Sequence, residues 1–70
     1  MMPLTVAPIG EKTEIKKVGG NPALKQHLAD LGFVTGGDVT VIAENGGSLI
    51  VSVKDVRIAL GKDMAMRIMV

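Results

Sequence analysis

The sequence predicts a mainly β fold: a small, highly curved barrel of about five short antiparallel strands, with one α-helix inserted after the second strand. Three observations predict it. Residues 21–37 carry the start signal and the stop signal of a single short helix. Most of the remaining Val, Ile and Leu residues fall in short runs separated by Gly and Pro. Two successive hairpins after the helix can be set in a register that keeps one apolar face.

Residues 4–7 form a short strand candidate that Pro8 ends. Pro8, Ile9 and Gly10 read as a turn, with the proline presetting φ. Residues 13–18 are the second strand. Ile15 and Val18 have opposite parity, so burying both requires a bulge near Lys16 and Lys17. Gly19 and Gly20 break the strand before the helix.

The helix begins at Asn21, a residue type suited to the N-cap. Pro22 takes the first helical position, where its missing N–H is harmless. Leu24, Leu28 and Leu31 recur at i, i+4 and i+7 and make one apolar stripe. Gly32 stands where a left-handed C-terminal cap is expected. A helix this short is not stable alone, so it must lie against the β structure.

Residues 38–44, 48–53 and 56–60 are the next three strands. Val39, Val41 and Ala43 share one face of the first, and Leu49, Val51 and Val53 one face of the second. A two-residue turn at Asn45 and Gly46 pairs Val41 with Ile50 and sets the apolar faces out of phase. A three-residue loop, Asn45 to Gly47 with Gly47 left-handed, pairs Val41 with Val51 and Val39 with Val53 and so keeps one face buried, which makes it the expected loop. A two-residue turn at Lys54 and Asp55 then pairs Val53 with Val56, Val51 with Ile58 and Leu49 with Leu60. Residues 61–63 break the chain, with one 3₁₀ turn through Met64. The last strand is 66–70, with Ile68 and Val70 inside.

The same register leaves Ile42, Ile50 and Ala59 in one cross-strand row on the outward face, beside Thr40, Ser52 and Arg57. An exposed apolar row next to an arginine is a candidate docking surface.

The chain has 70 residues, which allows one domain spanning 1–70. A chain of this size buries only about 60% of its extended surface and has little left for a deep pocket. That argues against an enzyme. The net charge is +1, and acids and bases are interspersed, so no basic stripe for nucleic acid is present. The basic cluster at Lys12, Lys16 and Lys17 is interrupted by Glu14. There is no cysteine, hence no disulfide, thiolate site or thiol chemistry. No apolar run approaches the ~18 residues of a membrane span, and the N-terminus has no signal-peptide pattern. The expectation is a cytoplasmic protein without direct membrane insertion.

No catalytic residue, metal ligand set or cofactor site is nominated. His27 is the sole histidine. It stands at i, i+3 from Asp30, but a facial triad needs two histidines and a carboxylate. Gly61-Lys62 lacks the rest of a phosphate loop. Of Met64, Met66 and Met69, at least one is expected to fill the core, and the others could adapt to a partner.

The pattern Leu28-x-x-Leu31-Gly32-Phe33-x-x-Gly36, then Val39-x-Val41, Leu49-Ile50-Val51, Arg57-Ile58-Ala59-Leu60 and Ala65-x-x-Ile68-x-Val70, resembles the FeoA family of small proteins of bacterial ferrous iron uptake. The resemblance spans residues 4–70 and implies an SH3-like barrel. It implies a non-enzymatic accessory role beside a FeoB-type membrane permease, docking on its cytosolic GTP-binding part. Ile42, Ile50, Arg57, Lys25 and His27 are then the candidate partner-binding residues, with Arg57 and Lys25 supplying rim charge. Two other readings stay open: an iron-binding or iron-sensing protein, and an interaction domain of the kind found in iron-dependent repressors. An open strand edge also permits weak self-association.

Overall fold

The computed structural model describes residues 1–70. Helix α1, Pro22–Leu31, follows the expected signals closely. The Asn21 side chain accepts a hydrogen bond from the Leu24 N–H at 2.8 Å and satisfies one orphan donor of the first turn. Gly32 ends the helix at φ 110°, and its N–H donates back to Ala29. Leu28 is fully buried, while Leu24 and Leu31 are half-buried against the core.

Six strands surround this helix in sequence. They are β1 (Lys12–Glu14), β2 (Lys17–Val18), β3 (Asp38–Asn45), β4 (Ser48–Val53), β5 (Val56–Gly61) and β6 (Ile68–Met69). A single helical turn, α2 (Lys62–Ala65), connects β5 to β6. Strands β1, β3, β4 and β5 form a four-stranded antiparallel sheet in the order β1-β3-β4-β5, and β2 pairs with β6 in a second, two-stranded sheet. The two sheets enclose one core without a continuous ladder of hydrogen bonds around it.

The first expected strand is a turn of 3₁₀ helix instead, over Leu4–Val6. The Val6 N–H donates to Pro3 and the Ala7 N–H to Leu4. Side chains three apart eclipse in such a turn, so Leu4 and Ala7 both reach the core. A strand would have put them on opposite faces.

The second expected strand splits at the point where a bulge was expected. The Ile15 N–H donates to Gly37, next to β3, and the Lys16 N–H donates to Met69 of β6. The chain therefore passes from one sheet to the other between these residues. Ile15 is fully buried at this corner, and Val18 is half-buried.

The register of β4 with β5 is the expected one, with Val53 opposite Val56, Val51 opposite Ile58 and Leu49 opposite Leu60. Lys54 and Asp55 close the hairpin at φ 51° and 64°, the pair of left-handed residues that this turn demands. Between β3 and β4, Val41 lies opposite Val51 as expected, but the device differs. The loop has two residues, Gly46 and Gly47, because Asn45 pairs with Ser48. Gly46, at φ 60°, is the left-handed one, and Gly47 is not. The phase is restored by a bulge: Val41 opposes Val51 and Ala43 opposes Ile50, so Ile42 is the extra residue.

After β5 the break is one α turn rather than 3₁₀, with the Met66 N–H donating to Lys62. The final strand is shorter than expected, since Met66 lies outside it and is exposed. Ile68 and Val70 are buried, as expected.

Fourteen side chains make the core: Leu4, Ala7, Ile15, Leu28, Phe33, Val39, Val41, Leu49, Val51, Val53, Leu60, Ala65, Ile68 and Val70. No polar or charged residue is buried. No helix is long and apolar enough to cross a membrane.

Candidate functional site

The outward face of the β3–β4–β5 sheet presents two adjoining rows. One is polar: Thr40 opposite Ser52, and Ser52 opposite Arg57. The other is apolar: Ala43 opposite Ile50, and Ile50 opposite Ala59. The bulge thus puts Ala43, not Ile42, across from Ile50. The alternation of strand residues alone cannot show this, because a bulge displaces one residue without changing the amino-acid pattern that follows.

Ile42 and Ile50 are half-buried, and neither belongs to the core cluster or to the partly buried apolar residues packed against it. Arg57 and Ala59 are exposed. Arg57 makes no ion pair. An arginine that keeps its five donors free beside aliphatic side chains can meet a carboxylate or carbonyl of a partner.

A polar groove of about 410 Å³ lies on the same sheet near the β4–β5 turn, lined by Lys12, Asp38, Thr40, Ser52, Lys54 and Asp55. Lys12 Nζ stands 3.4 Å from Asp38 Oδ2, but both side chains are mostly exposed, so the pair contributes little stability. Thr13 Oγ1 donates to the Val39 carbonyl at 3.0 Å and ties β1 to the sheet.

Lys25 and His27 are exposed on α1. The leucines of α1 face the core, whereas Ile42, Ile50 and Arg57 lie on the side of the sheet turned away from it. No hydrogen bond or ion pair links the two groups. The structure therefore brings Ile50 and Arg57 onto one face, with Ile42 at the bulge beside them, and shows no contact between these and Lys25 or His27 on α1. The sequence could not show this, because the direction in which a helix is laid on a sheet is decided by tertiary packing.

Asp30, three residues after His27, accepts a hydrogen bond from Gln26 Nε2 at 2.8 Å. No three His, Asp or Glu side chains gather closely enough to hold a metal ion together.

A second exposed apolar surface lies between the Leu4–Val6 turn, α2 and β6. Val6 and Met66 are the exposed residues there, and Met69 is half-buried. Of the three C-terminal methionines, Met64 is the one packed against the core. Val6 was hidden from sequence reasoning by the strand expected at residues 4–7.

The FeoA domain model matches residues 2–70. A Methanocaldococcus jannaschii protein, provisionally named Fe(2+) transport protein A, is 37% identical over 70 residues, covering all of this chain and 85% of its own. A crystal structure of an iron uptake regulatory protein (FeoA) superposes with a TM-score of 0.87 at 29% identity, over 96% of this chain and 91% of that one. The Stenotrophomonas maltophilia FeoA, crystallised with zinc and described as a prokaryotic SH3-domain protein and a candidate activating factor of ferrous iron transport, superposes with a TM-score of 0.83 at 32% identity, over 99% and 88%. The expected SH3-like fold is the fold of these relatives.

Proposed function

Because the chain belongs to the FeoA domain family, we propose that it is an accessory protein of ferrous iron transport that acts by protein contact and performs no chemistry of its own. Its partner in this reading is the cytosolic GTP-binding part of a FeoB-type membrane permease. Its place is the cytoplasm, at the inner face of the membrane when docked.

The observation that carries the reading is the outward pair Ile42 and Ile50, half-buried and outside the core, with the unpaired Arg57 on the same face. These isoleucines stand outside the core cluster, so their apolar surface is available to a partner in addition to what it gives the strand. A small apolar centre with a charged rim is the usual anatomy of a transient protein interface. The names of the relatives, which concern Fe(2+) transport and its activation, support the same direction. Lys25 and His27, exposed on α1, supply a further contact in this reading.

The test is capture of the full-length permease, in detergent, by the tagged protein. Ile50→Asp is expected to reduce capture about tenfold or more while leaving the fold intact. Removing the cytosolic part of the permease is expected to abolish capture. Unchanged capture by the Ile50→Asp protein overturns the sheet-face assignment, and no capture by the wild-type protein overturns the partner.

A further inference from the structure

We infer that the surface between the Leu4–Val6 turn, α2 and β6 is a second docking site, shaped for an acidic amphipathic segment of the protein partner. The inference rests on the reading of this chain as a contact partner in iron uptake. It adds a separate surface and the chemistry of what that surface takes.

Two shallow grooves of about 460 and 400 Å³ meet here, and Met66 and Met69 line both. The first groove continues over Pro3, Thr5 and Val6, and the second over Lys17, Gly19, Gly20 and Arg67. Val6 is 62% exposed and Met66 57%, which is high for side chains that burial would favour. Methionine suits such a floor, because its flexible thioether chain can repack around a partner that it has not met in the free state.

The charge left without an ion-pair partner at this site has one sign. Glu44, the sole acid lining the grooves, is already paired with Lys62, at 3.2 Å. Lys17 and Arg67 line the second groove and have no ion-pair partner. The unpaired charge beside the methionines is therefore positive, and carboxylates complement it.

The alternatives fit less well. A second copy meeting this patch across a two-fold axis would bring Lys17 and Arg67 near their own counterparts, which like-charge repulsion opposes. The few exposed apolar side chains here offer a lipid surface little area to insert, and the grooves between them would stay unfilled. A helix or extended segment with apolar residues along one side and carboxylates toward one end fits both the groove and the charge.

The test uses the full chain labelled with ¹³C at the methionine methyls, titrated with the FeoB-type permease in neutral-lipid nanodiscs. The expected result is loss or shift of the Met66 and Met69 signals while Met64, packed against the core, changes much less. Met66→Asp and Arg67→Glu are each expected to weaken binding about tenfold, and added salt to weaken it further. Both residues are exposed, so the fold is expected to survive, with the Met64 signal as the check. Binding that leaves Met66 and Met69 silent and is lost in Ile50→Asp overturns this inference and leaves the permease reading standing. No change at any methyl together with no binding overturns both. Shifts of Met66 and Met69 that depend on protein concentration without permease, or that phosphatidylglycerol vesicles reproduce alone, overturn it in favour of a second copy or of lipid.

Discussion

Val41 faces Val51 across the β3–β4 ladder, and it does so because Ile42 is bulged out of register between them and the hairpin turn. Counting back from the two-residue turn at Gly46 and Gly47 without a bulge would place Ile42 opposite Val51 and turn Val41 to the outside. The bulge adds the missing residue. It also increases the local twist, which a small barrel needs to bend its sheet around so few core residues.

Ile50 and Val51 should therefore respond in opposite ways to the same substitution. Val51 is fully buried, and Val51→Asp would place a carboxylate among aliphatic side chains with no partner. The expected cost exceeds about 4 kcal/mol, enough to unfold a domain of this size. Ile50→Asp sits on the outward face between Ala43 and Ala59, and its expected cost is about 1–2 kcal/mol. Circular dichroism and urea titration of the two variants check the pair. An Ile50→Asp protein as unfolded as Val51→Asp would show that the outward face is a core face.

Gly32 meets one condition that alanine violates, its left-handed backbone, while the space beside it would accept a methyl group in ordinary contact. Its φ is 110°, and a Cβ there would stand 3.4 Å from Val53 Cγ2 and 3.5 Å from Lys54 Cδ. The end of α1 thus rests close against the β4–β5 turn. Gly32→Ala is expected to lower stability by about 1–2 kcal/mol through the backbone term, with a loss of several degrees in Tm. A thermal melt within a degree of wild type would rule out the left-handed cap.

Lys54 is a residue out of place. It holds φ 51° at the first position of the β4–β5 turn, a conformation that asparagine adopts with less strain. It makes no ion pair that substitution would break. Lys54→Asn is expected to raise stability by about 0.5 kcal/mol, read from the urea midpoint at unchanged slope.

The parts of this fold legible in the sequence are those decided by neighbours along the chain. Asn21, Pro22 and Gly32 cap α1 through local hydrogen bonds and dihedral preference, and the Lys54–Asp55 turn sets the β4–β5 register by its length alone. Alternation of apolar residues reported the total offset between β3 and β4, but a longer loop and a bulge produce the same offset, so the pattern could not choose between them. The division of β1 from β2 was hidden because the hydrogen-bond partners of Ile15 and Lys16 are Gly37 and Met69, far away in the chain. The Leu4–Val6 turn was hidden because Leu4 with Val6 fits the two-residue period of a strand while Leu4 with Ala7 fits the three-residue period of a 3₁₀ turn. At the candidate site, the outward placement of Ile50 and Arg57 followed from strand parity. The separation of Lys25 and His27 from them depends on where α1 lies over the core, and that is a tertiary fact.

The two glycines of the β3–β4 turn separate the bulged hairpin from the longer loop that it replaces. Gly46 has φ 60° and open space where a Cβ would stand, so alanine there meets backbone strain and no clash. Gly47 also has open space, and its φ lies outside the left-handed region. Gly46→Ala is expected to cost about 1 kcal/mol, because an L side chain is held in the left-handed well. Gly47→Ala is expected to be neutral or slightly stabilising, since it reduces the freedom of the unfolded chain without strain in the folded one. Urea titration of both variants decides the matter: a costly Gly47→Ala beside a harmless Gly46→Ala would mean a three-residue loop with Gly47 left-handed, and Ile42 would then return to its place opposite Ile50.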